Sequence, residues 1–113
     1  MIYLGDYPTS HTAVIVPFDT FSASTGAPTA TTNFAAADVQ VYKDGGTTQR
    51  SSSAGITVTT SFDSNTGLQL ILIDLSDNTD AGFYAAGHEY TVAVADITAD
   101  AQTLRFWAGS FSI

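Results

Sequence analysis

Cysteine is absent from this 113-residue chain, so neither disulfides nor a thiolate metal site can hold it together. Positive charge is nearly absent as well: Lys43, Arg50 and Arg105 stand against eleven acids, for a net charge of −8. A nucleic-acid partner needs Lys and Arg to displace phosphate counterions, and an anionic membrane surface needs the same, so neither partner is expected. Glutamate is scarce, with Glu89 alone among ten Asp. Asp prefers turns and caps where Glu prefers helices, so this bias argues against a helical fold. No apolar run approaches the length of a membrane span. The opening Met1-Ile2-Tyr3-Leu4-Gly5-Asp6 lacks a basic stretch leading into a long apolar one. That pattern predicts a complete product made in the cytoplasm without a signal peptide.

What remains is a chain rich in Thr, Ser, Ala and aromatics, 44% hydrophobic and 12% charged. Such a composition has few residues for solvated helix faces and favours strands. Apolar residues alternate repeatedly, with turn chemistry between the runs. Residues 12–18 place Val14, Val16 and Phe18 on one face, and Pro17 suits an edge strand because it cannot donate to a ladder. Residues 19–33 read as a long loop with a weak ladder near 30–34. Residues 38–43 form a strand with Val39 and Val41 inward, then Asp44-Gly45-Gly46 turns the chain into a return strand at 47–50. Residues 56–62 and 68–75 pair about a turn at 63–67. The second of these is the most apolar strand and is expected to be buried on both faces. Residues 88–97 carry Tyr90, Val92 and Val94 inward, and in residues 103–113 Leu104, Phe106 and Ala108 oppose Arg105, Trp107 and Phe111. One helical turn fits within 77–86. The sum is a single all-β domain, an immunoglobulin-like antiparallel β-sandwich of about seven strands. Residues 1–11 show no alternation of their own and read as an arm ordered only against something else, with the sandwich at 12–113.

Several residues invite a functional reading. Asp80-Ala81-Gly82-Phe83-Tyr84 has the Asp-x-Gly-x-Tyr pattern of a tyrosine corner, whose hydroxyl pins the approach to a core strand; Tyr90 could take that part instead. Asp74, Asp77 and Asp80 with Asn78, and the loop Asp63-Ser64-Asn65-Thr66-Gly67, offer oxygens to calcium, but Asx-turns and caps explain both clusters without a metal. His11 and His88 are the only imidazoles, and no nucleophile elbow, P-loop or dinucleotide motif accompanies them. A domain that binds or builds is therefore expected, not an enzyme, with no cofactor or metal. Tyr3, Tyr7, Phe21, Phe34, Phe83, Tyr84 and Trp107 exceed what one face of a small core needs, so some should anchor an interface or stack on sugars. The bland reading of Trp107 is that it closes the core between the sheets.

Three stretches resemble a group of small tailed-bacteriophage proteins. They are Val16-Pro17-Phe18-Asp19-Thr20-Phe21, Val41-Tyr42-Lys43-Asp44-Gly45 with Thr48-Gln49-Arg50-Ser51, and Ile73-Asp74-Leu75-Ser76-Asp77-Asn78-Thr79-Asp80-Ala81-Gly82-Phe83-Tyr84. The closing Gly109-Ser110-Phe111 also fits, and the Val-x-Val-Tyr-x-Asp-Gly unit is similar to domains that open phage baseplate and fibre proteins. The resemblance implies a virion part with an immunoglobulin-like sandwich. It suggests a capsid decoration (cement) or neck and tail accessory subunit, held by other virion proteins in a homo-oligomer or symmetric array. The alternative is a carbohydrate- or host-receptor-binding module of the tail. An N-terminal arm favours the first, and a Trp107 exposed in a groove beside Tyr or Asp favours the second.

Overall fold

A computed structural model describes residues 1–113. Its strands are β1 (Ile2–Asp6), β2 (Val14–Asp19), β3 (Val39–Lys43), β4 (Ile56–Thr59), β5 (Leu68–Ile73), β6 (Glu89–Ala99) and β7 (Gln102–Ser112). They form two packed sheets, one of four strands in the order β1-β7-β6-β3 and one of three in the order β2-β5-β4. This is the expected all-β sandwich of seven strands. Six strands pair antiparallel, while β1 joins the edge of β7 parallel. The only helical pieces are single 3-10 turns at Ala36–Asp38 and Phe62–Ser64. Residues 77–86, where one helical turn was expected, hold turns and bends instead.

The core lies between the sheets and is built by the alternation read from the sequence. Val14 and Val16 of β2, Val39 and Val41 of β3, Ile71 and Ile73 of β5, and Tyr90, Val92 and Val94 of β6 are all buried. β-Branched side chains dominate because they fill a pleated surface with little rotamer loss. Three polar residues, Thr20, Arg50 and Gln69, are buried as well. Gln69 is satisfied there, its amide donating to Thr20 Oγ1 at 3.1 Å and accepting from Ser61 N at 3.2 Å.

Four further expectations change. β5 buries only its inner face: Gln69 and Ile71 are enclosed, but Leu68 is exposed and Leu70 and Leu72 are half-buried, because no layer covers the outside of the three-stranded sheet. Residues 47–50 make no return strand. After the turn at Asp44 one bond, from Arg50 N to the Val41 carbonyl (2.8 Å), ties the chain to β3 before it crosses to β4 in the other sheet. Phe111 is buried, not outward. The pairing register slips between Val92 and Ala93, which oppose Gly109 and Trp107, so Ala108 is an extra residue and every side chain after it changes face. Finally, residues 1–11 do not stand apart as an arm. β1 pairs with β7, Leu4 and Tyr7 pack on the core, and Tyr7 N donates to the Ser112 carbonyl at 2.9 Å. The segment lacks visible alternation because an edge strand with Gly5 at φ +113 breaks register partway along.

Candidate functional site: an aromatic face on the four-stranded sheet

Strand parity places Gln40 and Tyr42 of β3, Thr91 and Ala93 of β6, and Arg105 and Trp107 of β7 on the outside of the four-stranded sheet. Register then brings the two large rings together. Tyr42 lies opposite Thr91 and Trp107 opposite Ala93, so small side chains on the intervening strand leave room for the rings to meet above them. Their centroids are 5.8 Å apart with the planes at 69°. The Tyr42 hydroxyl donates to Gln40 Oε1 at 3.0 Å, which holds the phenol in place. Trp107 remains 53% exposed. The bland reading, an indole closing the core, is therefore wrong; that place is taken by Phe111, stacked on Tyr90 at 5.1 Å.

Three grooves meet at Trp107. One of about 270 Å³ runs past Gln40, Tyr42, Ala95 and Arg105. A second, of about 410 Å³, lies toward the turn after β3 and is lined by Tyr42, Gly45, Gly46, Thr47, Thr91 and Trp107. A third, of about 340 Å³, opens at the β1–β2 side between Met1, Ile2, Pro17, Phe18, Phe106 and Trp107. Large exposed apolar side chains scattered singly are ordinary, but contiguous ones mark interaction surfaces. Met1 is 73% exposed and Ile2 57%, and both share the third groove with Trp107.

The residues singled out from the sequence go to different places. Tyr3 is exposed near the start of β1, and its hydroxyl reaches Asp6 at the strand's end and Ser112 in a hydrogen-bonded cluster. The bond from Ser112, and then that from Tyr3, hold the Asp6 carboxyl below the usual range. Tyr7 is a packing residue, edge-on to Phe111 and donating to the Leu4 carbonyl at 2.9 Å. The tyrosine-corner bond belongs to Tyr90. Its hydroxyl donates to the Phe83 carbonyl and accepts from Ala85 N, both at 2.8 Å, while the buried Tyr84 hydroxyl has no partner. Burial pushes Tyr84 up to about 12 despite the guanidinium of Arg50 nearby. The geometry explains the swap: Tyr84 precedes the strand, whereas Tyr90, its second residue, lies inside the core and reaches back to the turn at residues 83–85.

Asp80 and Asp77 face Arg50. The Arg50 side chain is 1% exposed, with Nη2 at 2.6 Å from Asp77 and Nε at 3.4 Å from Asp80. Nη1 donates to the Ser52 and Ala54 carbonyls, and the guanidinium lies 4.9 Å from the Tyr84 ring centre. Asp80 also accepts from Ser52 N at 2.9 Å. The Arg50 hydrogen bond is the main cause of the lowered Asp77 carboxyl. What reads as a calcium-like cluster is thus a clamp joining the crossover after β3 to the loop before β6, and sequence reasoning missed its centre. The signal was there in the rarity of cations: a chain with three must place each one. Asp74 caps its own turn through Ser76 N, and Asn78 accepts from Gly82 N. No three His, Asp or Glu side chains converge as a metal-ligand group. The imidazole of His11 packs at 4.9 Å on Tyr7, and His88 Nδ1 meets Asp44 at 2.6 Å, whose other oxygen accepts from Glu89 N.

No family model, curated protein or solved structure matches this chain. The site must be read from its own chemistry.

Proposed function

We propose that the chain is a non-catalytic binding and building part of a phage particle, a capsid decoration or a neck and tail accessory subunit that works by protein–protein contact. The observation that carries this reading is the largely apolar groove at the β1–β7 side, where Met1, Ile2 and Trp107 gather with Asp19 at the rim instead of scattering. Trp and aromatic neighbours on a rigid sheet are the residue types that dominate interface energies. Near-absence of exposed cations suits a surface that meets protein and not packaged DNA. The test is an image of the particle that carries the chain. A symmetric lattice position with the Met1–Ile2–Trp107 groove against a neighbour supports the reading; absence from particles ends it.

A second reading, a carbohydrate- or host-receptor-binding module, is favoured by a specific observation: Trp107 stands exposed in a groove beside Tyr42. The structure also removes an argument for arm-mediated assembly, since residues 2–6 are engaged within their own sheet. The two readings use adjacent sides of one indole and are compatible in a tail part.

A further inference from the structure

Resting on the second reading, we infer that the groove between Trp107, Tyr42 and the turn at residues 45–47 takes a neutral saccharide. The chain carries fourteen charged residues, eleven acids and three cations, yet none lines this groove. Its wall is two aromatic rings, the hydroxyl-bearing Thr47 and Thr91, and the backbone of Gly45 and Gly46. Gly45 adopts φ +71, a conformation that disfavours a side chain, so backbone stays open to an approaching ligand there. That combination fits one ligand chemistry. An apolar ring face stacks on indole, and a rim of hydroxyls finds hydroxyl and amide partners.

The charges decide between ligand classes. An anionic sugar has no cation in the groove to meet it and is opposed by a net charge of −8. Lys43 donates to the Gly82 carbonyl on the inner side, and Arg105 is held by Asp96 at 2.7 Å. A cationic ligand finds aromatic faces but no carboxylate beside them. Gln40 holds the phenol and the phenol packs edge-on to the indole before any ligand arrives, which lowers the ordering cost of binding. Trp107 and Tyr42 also line the groove of about 270 Å³ on the far side. An oligomer of two or more sugar rings can therefore lie across the indole ridge.

Trp107 is the only tryptophan, so its fluorescence reads this site directly. The experiment titrates the full chain with neutral hexose and N-acetylhexosamine oligomers, and with sialylated and uronate oligomers, following emission and array binding. Expected are saturable binding of at least one neutral oligomer with a shift in emission, and a loss of tenfold or more in Trp107→Ala. The same loss is expected for Thr91→Arg, whose long side chain fills the groove but leaves the indole. Binding of acidic oligomers alone overturns the neutral-sugar inference while leaving a carbohydrate module standing. Neutral binding unaffected by both variants overturns the assigned groove. No binding by any oligomer, with the fold verified by circular dichroism, overturns the inference and the second reading together.

Discussion

Replacing Tyr90 with Phe removes one oxygen and keeps the ring that stacks on Phe111 with planes 17° apart. That oxygen makes two bonds of 2.8 Å, to the Phe83 carbonyl and from Ala85 N. Each such bond contributes about 1 kcal/mol net, and a partner left buried without one costs about 1–3 kcal/mol. The turn at residues 83–85 is half-buried, so water can reach part of what is stranded, and the expected loss is about 2 kcal/mol. For a domain of this size that is a fall of roughly 8 °C in Tm. Tyr84→Phe is the matched control. Its buried hydroxyl has no partner, so removal should shift stability by less than about 0.5 kcal/mol, toward greater stability if at all. Urea unfolding followed by circular dichroism reads both, with the slope m unchanged because the area exposed on unfolding is unchanged. If Tyr84→Phe costs as much as Tyr90→Phe, or more, the assignment of the corner to Tyr90 is refuted.

Further outcomes follow from the same contacts. Arg50→Met should cost about 3 kcal/mol in urea unfolding, since it removes the guanidinium donor from Asp77 and from two carbonyls and the paired charge from Asp80; a loss under about 0.5 kcal/mol would contradict the clamp. Because Asp77 is lowered in the folded state, its contribution is present above the unfolded value of 3.8 and is lost as pH falls below it. A Tm profile from pH 2 to 7 should therefore drop at the acid end, and less steeply in Arg50→Met. Tyr84 is raised, so its contribution is intact below pH 10 and is lost as pH climbs toward about 12; Tyr84→Phe should blunt that alkaline fall in a thermal scan. Phe111→Ala should cost about 3–5 kcal/mol and Trp107→Ala no more than about 1 kcal/mol, and the reverse order would refute the register slip at Ala108. Deleting residues 1–6 removes the half-buried Leu4 and bares the edge of β7. Tm should fall by at least about 4 °C and the chain should associate on size exclusion; an unchanged, monodisperse protein would show β1 to be dispensable.

Period-2 alternation made the sandwich legible, because Val14, Val16, Val39, Val41, Val92 and Val94 carry their facing in their spacing. It failed where one residue breaks the count. Ala108 shifts Phe111 inward, and Asp96, at φ +63, does the same for Ile97, yet neither bears a side chain that announces a bulge. Strand β1 was hidden for a related reason: its pairing is set by the exposed edge of β7, a partner more than a hundred residues away. At the site, Trp107 was visible as a candidate, but its neighbour Tyr42 was not. Their meeting depends on Thr91 and Ala93 of a third strand, which only register reveals. Arg50 went unread because a buried cation is recognised by the acids that surround it, and Asp77 and Asp80 lie some thirty residues further on.

On both proposed readings, the working surface is the outside of the four-stranded sheet around Trp107. The decisive measurement is an image, at side-chain detail, of the particle proposed to carry the chain. Trp107 is expected to be covered, by a neighbouring subunit on its Met1–Ile2 side or by a glycan on its Tyr42 side. A chain seated instead through the outside of β2-β5-β4, with Trp107 open to solvent in every copy and no ligand bound, would contradict it.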